Sequence, residues 1–130
     1  MNRGERTRRA VLGDAHVDRA LAGTTPFTAP WQEYVTSAAW GSVWSRPGLD
    51  RRTRSLVTLA LLTAQHAEAE LGMHVAAAIR VGVTAREIQE VLLHTAVYAG
   101  APAANAAFAV AQRVLAELDV PEARHAEPAG

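Results

Sequence analysis

Glu70 and His74 lie four residues apart, a carboxylate and an imidazole. On a helix that spacing places both on one face, roughly 40° apart around the axis. Such a pair suits proton chemistry: the imidazole acts as general acid or base, and the carboxylate orients it or shares its proton. Leu71, Val75, Ala78 and Ile79 trace an apolar stripe along the same helix, with His74 at its edge and Glu70 one step further out. An ionisable pair at the margin of a hydrophobic face is placed where a pocket can be lined. The same spacing also describes an ordinary surface pair worth about 0.2–0.5 kcal/mol to a helix. Adding His66 gives a His-Glu-His stripe at i, i+4, i+8, a spacing open to a metal reading. His66 falls at a helix junction and no supporting partner for a ligand set is evident, so no metal is expected.

Arg51, Arg52 and Arg54 crowd a helix start, where the macrodipole disfavours cations. One reading is a solvated helix end; the other is an anion site, since Arg recognises carboxylates in a bidentate way. Arg54 almost directly precedes the apolar run Leu56 to Ala64 and is the one aimed at a pocket. Trp40 and Trp44 read as core or interface anchors, and His94 with Tyr98 as near-core groups. Asn105 reads as a capping residue. No phosphate-binding G-x-x-x-x-G-K-S/T loop and no G-x-S-x-G nucleophile elbow is present.

Composition removes further chemistries. The 13 basic residues are all Arg, so a Schiff-base lysine is impossible. There is no Cys, which excludes thiol redox chemistry, disulfides and thiolate ligands. A formal net charge of zero argues against nucleic-acid binding. No apolar run approaches a membrane span, and no leader follows Met1 to Arg6, so the expectation is a cytoplasmic, soluble protein. With 49% apolar residues in 130, one helical domain can bury a core.

The elements that would position these residues follow from spacing and caps. Met1 to Arg9 is polar and Arg-rich and reads as frayed at its start. Arg8 to Leu21 is loosely helical with a break at Gly13, and Gly23 to Pro26 is a connector. Trp31, Tyr34, Val35, Ala38 and Ala39 predict a helix running to Trp44, ended by Ser45-Arg46-Pro47-Gly48. Asp50 is an N-cap for a helix over 51–64 whose segment Leu56 to Leu62 is apolar nearly all round. The Glu70–His74 helix runs to Val81, with Gly82 as its cap. Thr84 and Glu87 form a capping box opening a helix whose buried side is Ile88, Val91, Leu92, Thr95 and Tyr98. Gly100-Ala101-Pro102 breaks it, and an Ala-rich helix follows over about 103–118. The fold class is all-α with about six helices in one domain, residues 1–119, and residues 120–130 form a disordered tail.

Three stretches carry a resemblance. Arg9-Ala10-Val11-Leu12-Gly13-Asp14-Ala15-His16-Val17, the block Trp40-Gly41-Ser42-Val43-Trp44-Ser45-Arg46-Pro47-Gly48-Leu49-Asp50-Arg51-Arg52-Thr53-Arg54-Ser55-Leu56, and Tyr98-Ala99-Gly100-Ala101-Pro102-Ala103-Ala104-Asn105 strongly resemble the carboxymuconolactone decarboxylase family. The resemblance runs from about Arg8 to Glu117. It implies an alkylhydroperoxidase D-like helical subunit in a homo-oligomer, commonly a hexamer. Thiol-bearing relatives carry C-x-x-C where this chain has Ala67 and Glu70, so their peroxidase chemistry cannot run here.

The activity implied is decarboxylation of 4-carboxymuconolactone to the 3-oxoadipate enol-lactone, in the protocatechuate branch of aromatic-acid breakdown. The substrate, a lactone dicarboxylate, is its own electron sink, so no cofactor is expected. Glu70 and His74 would serve as the catalytic pair. Arg54 or Arg51 would hold a substrate carboxylate, and Trp44 would wall out water. The alternatives are a related cofactor-free lyase or isomerase on another lactone or keto acid, and a helical oligomerisation module without catalysis.

Overall fold

The computed structural model describes residues 1–126, which among themselves are helical with no strand. The chain forms two compact units, one ending at Arg54 and one beginning at Ser55.

The first unit holds α1 (Arg3–Leu12), α2 (Asp14–Ala22), α3 (Ala29–Val35), a π-helix (Thr36–Trp44) and the first turn of α4 (Arg51–Ala64). The N-terminus expected to fray is capped and packed instead. Asn2 Oδ1 accepts from the Glu5 amide at 2.8 Å, and Gly4, Thr7, Arg8 and Val11 are buried. Gly13, at φ 90°, makes the expected break between α1 and α2. Arg9 clamps that corner through Glu5, Asp14 and Asp18, whose carboxylates hold its guanidinium protonated more firmly still.

The helix expected over Trp31 to Trp44 is two elements. α3 gives way at Thr36 to a nine-residue π-helix. In a π-helix the carbonyl of residue i meets the amide of i+5, which pairs Thr36 with Gly41. α1 packs against this element, and a Cβ on Gly4 would collide with the Thr36 carbonyl and lie 3.2 Å from the Gly41 nitrogen. The widened turn thus coincides with a close approach of two backbones. Trp31 and Tyr34 are exposed rather than on a buried stripe, since α3 has no buried residue.

The second unit contains the rest of α4, α5 (Glu68–Arg80), α6 (Ala85–Ala99), α7 (Ala101–Glu117) and a 3₁₀ turn (Pro121–Ala123). α7 packs against both α5 and α6. Its small residues Ala104, Ala107 and Ala111 are buried, so neighbours approach closely. Leu59, Leu71, Val75, Ile88, Leu92 and Leu115 form the core. The Thr84–Glu87 capping box is present in both directions, and Gly82 and Gly100 take positive φ at 95° and 97°. Pro102 sits within the first turn of α7, where its missing N–H removes no helix bond, so α7 opens at Ala101.

Three expectations are corrected here. Tyr98 is 80% exposed, because α6 turns Ala85, Ile88, Leu92 and Thr95 inward and not the side that carries Tyr98. Val57 and Leu61 are about half exposed, since one chain covers only the Leu59 side of α4. Order extends past residue 119: Ala123 is buried and its carbonyl accepts from Gln112 Nε2 at 2.8 Å. The remainder of the expected tail includes residues 127–130, which lie outside the described residues.

Candidate active site

α5 begins after a tight junction in which His66 takes φ 56°. The Ala67 N-cap supplies no side-chain bond, and Glu68 and Glu70 stand in the first turn, where the macrodipole favours negative charge. One turn on, His74 is buried at 8% exposure, flanked in sequence by buried Val75 and close to buried Leu71 and Ala78. Glu70 is exposed. The stripe read from sequence is therefore the core face of α5, with His74 inside its margin and Glu70 outside it. The α5 backbone approaches α7 at Gly72, where a Cβ would sit 3.5 Å from Val110 and 3.6 Å from Val114. That packing fixes the orientation of the helix carrying the pair.

The other expected residues belong to the first unit. Asp50 caps α4: its Oδ1 accepts from the Thr53 amide at 2.7 Å. That amide, with the Thr53 hydroxyl, holds the Asp50 carboxyl below its usual range. The carboxylate offsets the local excess of Arg51, Arg52 and Arg54 at the helix start. Arg51 is exposed, whereas Arg54 is half-buried and reaches back so that Nη2 donates to the Arg46 carbonyl at 3.3 Å. Arg46 lies two residues beyond Trp44 in sequence. Trp44 is half-buried, its ring centroid 4.9 Å from that of buried Trp40. The structure thus brings Arg54 to the turn that follows Trp44, and it brings Glu70 and His74 onto one face of α5. Each set is held by its own unit.

Among the described residues, no group of three His, Asp or Glu is spaced to hold a metal ion. Sequence reasoning missed Arg8, a buried cation at the start of a stretch read only as loosely helical. Its partners Gln32 and Thr36 lie 24 and 28 residues away, beyond any local signal.

An all-helical subunit with a carboxylate–imidazole pair on one helix, and no thiol, has the parts for proton transfer. Residues 29–113 match the model of the carboxymuconolactone decarboxylase family. A nitrosuccinic acid decarboxylase of Metarhizium robertsii is 50% identical over 115 residues, 88% of this chain and 80% of the relative. A 4-carboxymuconolactone decarboxylase of Acinetobacter baylyi is 47% identical over 117 residues, 90% of this chain and 87% of the relative. The chain belongs to the carboxymuconolactone decarboxylase family, with its alkylhydroperoxidase D-like fold. It is an enzyme of the carboxy-lyase class.

Proposed function

We propose that the chain decarboxylates 4-carboxymuconolactone to the 3-oxoadipate enol-lactone and CO2 without a cofactor, in the protocatechuate branch of aromatic-acid breakdown in the cytoplasm. The observation that carries this reading is His74 buried one turn from an exposed Glu70, in a chain 47% identical to a 4-carboxymuconolactone decarboxylase. Loss of CO2 leaves an electron pair on the ring carbon. It passes through the ring double bond onto the lactone carbonyl oxygen. The resulting dienolate is then protonated at the carbon next to that carbonyl. His74 acts as the general acid or as a donor to the developing oxyanion, and burial strengthens either role. Glu70 orients His74 or shares in the proton transfer. Arg54, with Arg51 as the second candidate, grips the retained carboxylate, and Trp44 keeps water from the departing one.

A second reading is favoured by the relative named for nitrosuccinic acid, which is 50% identical. The two substrates share a unit. In each, the reacting carbon carries the departing carboxylate, a CH2–COO⁻ arm and an electron acceptor, a butenolide in one and a nitro group in the other. Loss of CO2 from nitrosuccinate places the electron pair on the nitro oxygens as a nitronate. A carboxylate clamp and a proton donor therefore serve both, and the acceptor decides between them. Incubating the protein with each acid and measuring CO2 separates the readings. Release from the lactone alone supports the first, release from nitrosuccinate alone the second, and an inert protein leaves a non-catalytic helical module.

Assembly belongs to the same proposal. Val57 and Leu61 on α4, and Leu93 and Val97 on α6, present exposed apolar surface spaced four residues apart on each helix. A homo-oligomer, hexameric by family resemblance, would cover such faces.

A further inference from the structure

The Arg54 guanidinium is tied to a turn that is exposed from Arg46 to Asp50. The Arg46 carbonyl accepts from Arg54 Nη2 at 3.3 Å, slightly long for such a bond. The direction of the guanidinium therefore depends in part on where the turn holds that carbonyl. Exposed residues bury too little apolar surface to fix a turn, so polar contacts must do so.

Those contacts meet at one atom. In a π-helix the Gly41 carbonyl would accept from the Arg46 amide. That amide bonds the Val43 carbonyl instead, at 3.0 Å. The Gly41 carbonyl is taken by two side-chain donors, Arg3 Nη2 at 3.1 Å and Ser45 Oγ. Carbonyls at a helix C-terminus lack amide partners, and the macrodipole favours a cation there. Arg3 brings that cation from α1, 38 residues away in sequence. Gly4, the next residue, lets α1 come this close, since a Cβ there would collide with the Thr36 carbonyl. α1 lies outside residues 29–113, the part of the chain that matches the family model. All these contacts fall within the first unit, which ends at Arg54. A serine that bonds the carbonyl four residues back is common in helices, and neither bond adds much to stability. Their worth lies in position: a misplacement of about 1 Å at a substrate-holding group can cost about a hundredfold in rate.

We propose that Arg3 and Ser45 are positioning residues for the substrate clamp. By holding the Gly41 carbonyl they fix the turn whose Arg46 carbonyl orients the Arg54 guanidinium towards the retained carboxylate. Arg54 is taken here as that clamp, as proposed above, and α1 thereby gains a part in substrate binding.

The experiment is steady-state kinetics on the acid, 4-carboxymuconolactone or nitrosuccinate, from which the wild type releases CO2. Ser45→Ala and Arg3→Gln should each raise KM at least about threefold while kcat changes less than about twofold. Ser45→Thr, which keeps the hydroxyl, should recover most of the loss. Arg54→Lys should raise KM by itself. Ser45→Ala placed in that background should add nothing, because residues that act through one group are not additive. A KM raised by Arg54→Lys but left unchanged by either Ser45→Ala or Arg3→Gln overturns the positioning role and leaves the clamp standing. So does a Ser45→Ala effect of equal size in both backgrounds, which would mark a general loosening of the fold. A KM unchanged in Arg54→Lys overturns the clamp and the positioning role together.

Discussion

His74 is buried while Glu70, one turn away, meets solvent, so the two groups of the pair work in different surroundings. Replacing His74 should remove transition-state stabilisation while leaving the core filled, provided the new side chain has similar volume. We expect His74→Gln to lower kcat at least about a hundredfold, roughly 2.7 kcal/mol, with a small change in Tm. Near-normal turnover in a folded variant would take His74 out of the mechanism. Arg54→Lys should raise KM for the lactone, because a point charge does not reproduce the bidentate fork. Unchanged kinetics would move the clamp to Arg51. His16 gives a pH signature. Burial, with Arg19 and Arg8, holds its pKa below the ordinary 6.5 in the folded chain. As pH falls through that value the unfolded chain takes up the proton first. Stability is then present above about pH 6.5 and is lost as the pH drops towards the folded pKa. His16→Gln should flatten the Tm profile between about pH 7.5 and 5.5 relative to wild type, as read by calorimetry. Residues governed by local rules were legible in the sequence: Asp50 as a cap and Thr84 with Glu87 as a capping box. Arg8 was not, because its hydrogen bonds run to Gln32 and Thr36.

The core stripe of α5 follows its apolar spacing, since a 3.6-residue period and a buried stripe are the same fact seen twice. α5 keeps Leu71, Val75 and Ala78 inward as its sequence requires. The π-helix over Thr36–Trp44 could not be read in this way. Its residues fit an α-helix equally well, and the partner that distinguishes the two is Gly4, far away in sequence. Only a residue without Cβ allows α1 to rest on the Thr36 carbonyl. Gly4→Ala should therefore destabilise the protein by about 1–3 kcal/mol, as overpacking against a rigid backbone does. Denaturant unfolding measures this, and an unchanged midpoint would show that α1 can shift without loss.

The exposed apolar residues concern the whole molecule. Val57 and Leu61 belong to the segment that is apolar nearly all round, and within one chain they are exposed. The sequence showed that these faces are apolar but not what covers them, because periodicity reports hydrophobicity and not partners. If a homo-oligomer covers them, Tm should rise with protein concentration. Light scattering of the active protein should then give several times the 13.9 kDa chain mass, and an active single chain would contradict the proposed assembly. The central claim is that this chain alone removes CO2 from a substituted succinate carbon and moves the proton with its own side chains. The most direct test is CO2 release from 4-carboxymuconolactone by the purified chain, with a chelator present and no cofactor added. The account predicts one CO2 for each lactone consumed, with enol-lactone as the product. Lactone left intact, or turnover that appears only when a divalent metal is restored, would contradict it.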